Sequence, residues 1–193
     1  MARLFTAVEL EPEIRDRIAD VQSRLARSLD TGRTGLRFVR PAQLHLTLVF
    51  LGEIEDSRVP AVVAAMSDEL PVATFDVEFA TAGGFPPQGP ARVLWIGVRR
   101  GARELSGLFD AVSDRLTRVG VPRETRPFAP HLTLGRWRDR GAKLRRSALP
   151  DIGTVGVQTV SSVTLFRSRL LPQGPEHSAL AHTPLSGSTG TLN

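Results

Sequence analysis

The sequence predicts an α+β fold of two similar lobes, in which two antiparallel sheets face a central cleft and the helices lie outside. Two observations in this chain of 193 residues support the prediction. The order strand, helix, strand occurs twice, and the segment Arg40–Leu48 is nearly repeated as Arg126–Leu134. Six of the nine positions are identical, at a constant offset of 86 residues. We therefore expect one bilobal domain of two pseudo-symmetric units over residues 1–185, followed by a flexible tail over 186–193.

The first unit begins with a strand over Arg3–Leu10. A helix follows Pro12, because apolar residues then recur at helical spacing. The remaining elements of this unit are an extended segment Leu36–Val39, a strand Leu44–Leu51 closed by Gly52, a helix from Asp56 or Ser57 that carries Val59, Val62, Val63, Met66 and Leu70, and a strand Phe75–Phe79.

The second unit follows the segment Thr81–Pro90, whose glycines and prolines predict a loop. A strand over Ala91–Val98 then leads into a helix, on which Leu105, Leu108, Phe109, Val112, Leu116 and Val119 share one face. Three further strands are predicted, over His131–Trp137, Val155–Val160 and Val163–Arg167.

The composition excludes several classes of protein. The chain is 41% hydrophobic and 23% charged, as in ordinary globular proteins, and no apolar run is long enough to span a membrane. Acidic residues interrupt the N-terminal region before a signal-peptide core could form, so we expect a cytoplasmic protein. The absence of cysteine excludes disulfides, thiolate metal sites and a cysteine nucleophile. The net charge of +5 permits an anionic partner such as RNA, but on charge alone a solubilising arginine-rich surface is the simpler explanation.

The repeated segment contains a His-x-Thr motif in each unit. Alternate side chains of a strand share a face, so His45 and Thr47 point away from the neighbouring leucines, and His131 and Thr133 do the same. If a two-fold axis relates the units, two imidazoles and two hydroxyls converge in one cleft. One histidine can then act as a base and the other as an acid, while the hydroxyls bind phosphate oxygens. This set of groups suits phosphate-ester chemistry.

Two simpler interpretations of these histidines remain open. A histidine in a strand is often a hydrogen-bonded structural residue, although a duplicated polar pair weakens that interpretation. A zinc site would need a third protein ligand, and no Asp or Glu stands beside either motif on the same face. We expect His177 and His182, which lack a repeated counterpart, to be surface or packing residues.

The two motifs and their flanks resemble the 2H phosphoesterase superfamily, and within it the RNA 2′,3′-cyclic phosphodiesterases, also called LigT-type 2′-5′ RNA ligases. The similarity extends over nearly the whole chain, and its matching segments are Leu4–Val8, Val39–Pro41, His45–Gly52, Val93–Val98, Arg126–Phe128, His131–Arg136 and Leu165–Ser168.

This resemblance implies a metal-free cleft that uses no cofactor and hydrolyses RNA 2′,3′-cyclic phosphates to 2′-phosphomonoesters. It implies that His45 is the proton donor, that His131 is the proton acceptor, and that Thr47 and Thr133 hold the phosphate. With a 5′-hydroxyl RNA in place of water, the same groups would give 2′-5′ ligation without ATP. It implies no partner besides such an RNA, and we expect a monomer. The alternative is an RNA- or nucleotide-binding module with little turnover, and a small cyclic phosphate is a further candidate substrate.

Several neighbouring positions qualify the resemblance. Arg136 matches a family arginine that could contact phosphate, yet strict alternation places it opposite His131, so it needs a bulge or a strand end to reach the cleft. Phe128 and Trp137 could stack on a base or pack internally. Val49 stands where relatives often have a basic residue, which predicts a less positive cleft. Residues 176–178 replace an aromatic-containing stretch, which leaves the base-binding wall unassigned.

Overall fold

The computed structural model describes residues 1–29, 35–137, 149, 151–171 and 174–187. It contains three helices and ten strands in these ranges. In chain order they are β1 (Ala2–Glu9), α1 (Pro12–Ser28), β2 (Leu36–Phe38), β3 (His45–Ile54), α2 (Val59–Ala65), β4 (Leu70–Ala73), β5 (Phe75–Phe85), β6 (Val93–Arg100), α3 (Ala102–Thr117), β7 (His131–Trp137), β8 (Thr154–Val160), β9 (Ser162–Leu171) and β10 (Gly174–Ser186).

The strands form two antiparallel halves related by pseudo-symmetry. The first half has the order β4-β10-β9-β1-β3 and the second β7-β6-β5-β8, with β2 beside β7. Only the short contact between β10 and β4 is parallel. The halves meet where β3 pairs with β7 through the single pair Leu46 and Leu132, which joins the two expected sheets edge to edge. The predicted α+β fold of two units is confirmed.

The helices cross between the halves and cover the apolar face of the sheets. The apolar stripe of α1 is buried, and the helix packs against β8 of the second half. In the reverse direction, α3 packs against β3 and β4 of the first half as well as β6. Because α1 and α3 each pack against strands of the opposite unit, burial of apolar area couples the halves to each other. No helix in the described residues is long and apolar enough to cross a bilayer.

One predicted loop is largely strand. β5 continues to Phe85, so the expected loop over Thr81–Pro90 was wrong for its first five residues. The glycines there permit close approach, because a Cβ on Gly83 would lie 2.1 Å from the ring of its cross-strand neighbour Trp95. A glycine inside a strand thus marks the space required by a ring and not a turn.

Two other segments differ from the expectations. The second predicted helix ends at Ala65, and Leu70 instead begins β4. The C-terminal stretch forms β10, which had not been predicted. Ser186, the first residue of the predicted tail, ends this strand and donates to the carbonyl of Leu70 at 3.0 Å. Residues 188–193 of that tail lie outside the described residues.

Candidate active site

The two motif histidines begin the two central strands, β3 and β7, and have the same tautomer. Nδ1 of His45 lies 2.8 Å from the carbonyl of Gln43, and Nδ1 of His131 lies 2.7 Å from that of Ala129. A carbonyl only accepts, so both rings hold a proton on Nδ1. The Nε2 atom of each neutral ring is therefore left with a lone pair for proton transfer.

The threonines lie on the same face as the histidines. Both motifs are half-buried at His and Thr positions and buried at the leucines between them. The antiparallel pairing of Leu46 with Leu132 brings the start of each strand beside the other motif. The register therefore places His45 next to Thr133 and Thr47 next to His131 across the junction. The structure thus brings the four predicted side chains to one patch.

A β-bulge follows each motif and shifts the alternation by one residue. Leu48 is the extra residue of β3 in its pairing with β1, and Leu134 is the extra residue of β7 in its pairing with β6. The shift gives both strands the same burial sequence, in which two buried residues precede an exposed one. The exposed residue is Phe50 in β3 and Arg136 in β7, 86 residues apart like the motifs themselves. Because the bulge shifts the alternation by one residue, Arg136 lies on the same face of β7 as His131.

Polar groups from other elements form hydrogen bonds with the backbone N–H and carbonyl groups at the two bulges. The hydroxyl of Thr6 accepts the N–H of Val49 at 3.2 Å. The amide of Gln22 on α1 donates to the carbonyl of Leu134 at 3.1 Å, and this carbonyl also accepts the N–H of Val39 at 2.8 Å. Val49 itself is buried at 3% exposure. Its side chain belongs to the core and does not set the charge of the cleft.

Burial lowers the pKa of both histidines, but their charged neighbours differ. The pKa of His45 falls to about 4, chiefly because the ring is removed from water; the carbonyl of Gln43 and the carboxylate of Glu9 oppose this, and His177 reinforces it. The pKa of His131 is also lowered by burial, against the opposing Ala129 carbonyl, and Arg136 lowers it further. Both rings are therefore neutral at pH 7 when the cleft holds no ligand.

Aromatic rings surround the first histidine. Phe5 lies 4.9 Å from His45 between ring centroids, and Phe166 stacks on Phe5 at 5.2 Å. His177 on β10 lies edge-on to His45 at 5.5 Å. On the other side of the cleft, Phe85 lies edge-on to His131 at 4.9 Å.

His177 packs against aromatic rings, as one of the two expected alternatives allowed, but it does so beside the first motif. The Gly and Pro residues around it concealed a strand whose pairing with β9 brings the ring to the wall beside His45. The amide of Gln43, two residues before His45, donates to the carbonyl of Pro175 and fixes that strand to the motif. One feature of the sequence pointed to this segment: residues 176–178 stand where the similar family has an aromatic-containing stretch.

Two aromatic residues considered for base binding pack internally. Phe128 stacks on Phe109 with centroids 4.7 Å apart, and Trp137 is 7% exposed. The large aromatic side chain exposed on the motif face is instead Phe50, at 61%. In the described part of the chain, no three His, Asp or Glu side chains are grouped as a metal site would require.

Comparisons with known proteins agree with this geometry. The family model of the LigT-like phosphoesterases matches the chain twice, at residues 8–95 and 96–177. An RNA 2′,3′-cyclic phosphodiesterase of Archaeoglobus fulgidus is 32% identical over 90% of this chain and 94% of its own length.

Solved structures are similar over the whole fold. The crystal structure of a Thermus thermophilus protein has a TM-score of 0.80 and 28% identity, and covers 96% of this chain and 99% of the other. That of Escherichia coli LigT complexed with 3′-AMP has a TM-score of 0.78 and 27% identity, with 96% and 98% covered. The family model fits each half of a duplicated fold, and each half supplies one His-x-Thr motif to the same patch: the chain belongs to the LigT-like phosphoesterase family.

Proposed function

We propose that this protein hydrolyses 2′,3′-cyclic phosphates at RNA ends to 2′-phosphomonoesters without a metal, with His45 as the proton donor and His131 as the proton acceptor. The observation that supports it most directly is the pair of histidines with identical tautomers and differently charged neighbours. The named activity of the Archaeoglobus relative and the nucleotide in the E. coli structure point to the same class of substrate.

The base half of the reaction follows from the surroundings of His131. Its Nδ1–H donates to Ala129, which leaves Nε2 to accept a proton from water. Burial, and to a smaller extent the guanidinium of Arg136, keep the ring neutral before the reaction. As water loses this proton, its oxygen bonds to phosphorus from the side opposite the 3′-oxygen.

The acid half requires His45 to carry a second proton. In the ligand-free protein the ring is neutral at pH 7. The negative charge of a bound cyclic phosphate, together with Glu9, favours the imidazolium, so we propose that proton uptake accompanies substrate binding. As the bond from phosphorus to the 3′-oxygen breaks, Nε2 of His45 gives its proton to that oxygen. The phosphate remains on the 2′-oxygen.

The remaining groups bind the substrate. Thr47 and Thr133 donate their hydroxyl hydrogens to the non-bridging oxygens, and Arg136 offsets the developing charge. Phe50, at the equivalent position of the other half, offers its exposed ring to a nucleobase. One chain provides all of these groups, so a monomer suffices, and the cysteine-free composition fits a cytoplasmic enzyme. When an RNA 5′-hydroxyl replaces water, the same transfers form a 2′-5′ linkage without ATP.

The test is a short RNA ending in a 2′,3′-cyclic phosphate, incubated with protein in excess EDTA. We expect the wild type to form a 2′-phosphate, and His45→Ala and His131→Ala each to lose about 10²- to 10⁴-fold in rate. Thr159→Val, at an exposed position of β8, is the control for Thr47→Val and Thr133→Val. Adding a 5′-hydroxyl RNA tests ligation.

Other outcomes would contradict the proposal. Loss of activity in EDTA would indicate a metal. RNA binding without turnover, unchanged in both histidine variants, would favour a binding module. Equal turnover of a cyclic mononucleotide and the RNA would favour a small-molecule substrate.

A further inference from the structure

A hydrogen-bonded chain of three side chains lies beside His45. Glu9, the last residue of β1, is the direct antiparallel partner of His45 in β3. The hydroxyl of Thr164 donates to Oε2 of Glu9 at 2.7 Å, and Nδ1 of His182 lies 3.0 Å from that hydroxyl oxygen. The single hydroxyl hydrogen goes to the carboxylate, so His182 donates its Nδ1–H to Thr164.

This chain is built on fixed positions. Thr164 is 1% exposed. Gln158 on β8 donates to the carbonyl of Glu9 at 2.9 Å and accepts the N–H of Glu11 at 3.2 Å, which fixes the end of β1. His182 lies 3.7 Å from the same Glu9 oxygen, with 63% of its side chain exposed. The carboxylate is thus held by Thr164 and His182, on the residue whose strand position pairs with His45.

Among the described residues, His131 has no such carboxylate beside it. The strand partner of His131 is Gly97 on β6, which carries no side chain. The charged group that acts on His131 is the cation Arg136. A carboxylate therefore acts on His45 and a guanidinium on His131, and His177 opposes the carboxylate at His45.

We infer that Glu9, held by Thr164 and His182, is a positioning residue that favours the imidazolium form of His45 during the reaction. This inference rests on the proposed function, in which His45 donates a proton. His177 on β10 acts in the opposite direction, since its charge repels a second imidazolium. From β7, His131 faces the same patch and remains neutral until it takes the proton of water.

The experiment compares pH–rate profiles on the cyclic-phosphate RNA. His45 must be protonated, so its pKa in the complex sets the alkaline limb; His131 must be neutral, so it sets the acid limb. We expect Glu9→Gln to move the alkaline limb to lower pH by about one unit and to leave the acid limb at the same pH. Thr164→Val shifts the alkaline limb less in the same direction, and Thr164→Ser, which keeps the hydroxyl, shifts it least. Glu11→Gln, an exposed glutamate outside the cluster, is the control and leaves both limbs in place.

A second measurement does not depend on activity. The chain has four histidines, so the ring signal of His45 is assigned by NMR from its loss in His45→Gln. In ligand-free protein, Glu9→Gln should move the His45 titration to lower pH than in the wild type. An active wild type whose alkaline limb and His45 titration are unchanged by Glu9→Gln would overturn the inference. An inactive wild type would instead reject the proposed function, while the NMR titration would still decide the coupling.

Discussion

The half of the cleft around His45 and the half around His131 share a backbone plan but differ in charge. Each has a His-x-Thr strand, a ring tautomer fixed by a carbonyl two residues earlier, and a bulge that exposes the fifth residue after the histidine. The exposed residue is Phe50 in one half and Arg136 in the other. A carboxylate adjoins His45, whereas a glycine adjoins His131.

Under the proposed function, this difference would let a duplicated fold supply two unlike catalytic groups. The repeat fixes where each imidazole lies and which nitrogen faces the cleft. The neighbouring strands, which have diverged, determine the charge that acts on each ring. A nearby anion favours an imidazolium and a nearby cation disfavours it, which is the direction that the proposed acid and base roles require.

The largest expected effect is a difference between the two histidine variants on substrates whose leaving groups differ. On the cyclic phosphate, both alanine variants should lose about 10²- to 10⁴-fold in rate. A p-nitrophenyl phosphodiester loses its leaving group as an anion and needs no acid. His45→Ala should therefore retain activity on this substrate to within about tenfold of the wild type, whereas His131→Ala should remain inactive. Release of p-nitrophenolate measures both rates. The reverse pattern would exchange the two roles.

The next effect distinguishes the roles of Arg136 and Phe50 by the substrates on which each variant loses kcat/KM. Arg136→Gln should lower kcat/KM by about a hundredfold on every phosphodiester, because it removes a charged contact to phosphate. Removing this cation also raises the pKa of His131, so the acid limb should move to higher pH. Phe50→Ala should lower kcat/KM about tenfold on RNA and leave a substrate without a base unaffected.

Matched variants make this comparison specific. Arg103→Gln, an exposed arginine on α3, controls for lost charge, and Phe50→Trp should retain stacking. A Phe50→Ala loss of equal size on both substrates would contradict base stacking. Unchanged kinetics in Arg136→Gln would remove that residue from phosphate binding.

The smallest expected effect concerns stability. The pKa of His45 is about 4 in the folded protein, against 6.5 for an unperturbed histidine, so the unfolded chain binds the proton more tightly. Stability is therefore retained above pH 6.5 and lost as the pH falls toward 4. Between pH 7 and 5 the loss from this ring is about 2 kcal/mol. Urea unfolding at both pH values should show a smaller loss in His45→Gln. An equal loss in both proteins would show that burial does not suppress the protonation of this ring.

Local patterns in the sequence predicted most of the fold. The apolar stripe of α1 and the strand over His131–Trp137 were confirmed, because the helical period and the alternation up to Leu134 match their elements. β10 was missed because Gly174, Pro175 and Pro184 are typical of loops. These residues are tolerated there by pairing with β9, which a local pattern does not contain.

By itself, the sequence determined the duplication, the two His-x-Thr motifs and the separation of each from its leucine face, since these depend only on repeat spacing and strand period. Only the tertiary structure decided what lies beside each motif. It placed Arg136 on the cleft face through a bulge, brought His177 to the wall beside His45, and set Glu9 against one histidine. Strand register and bulges depend on pairing between distant segments, and pairing fixes the neighbours that tune each ring.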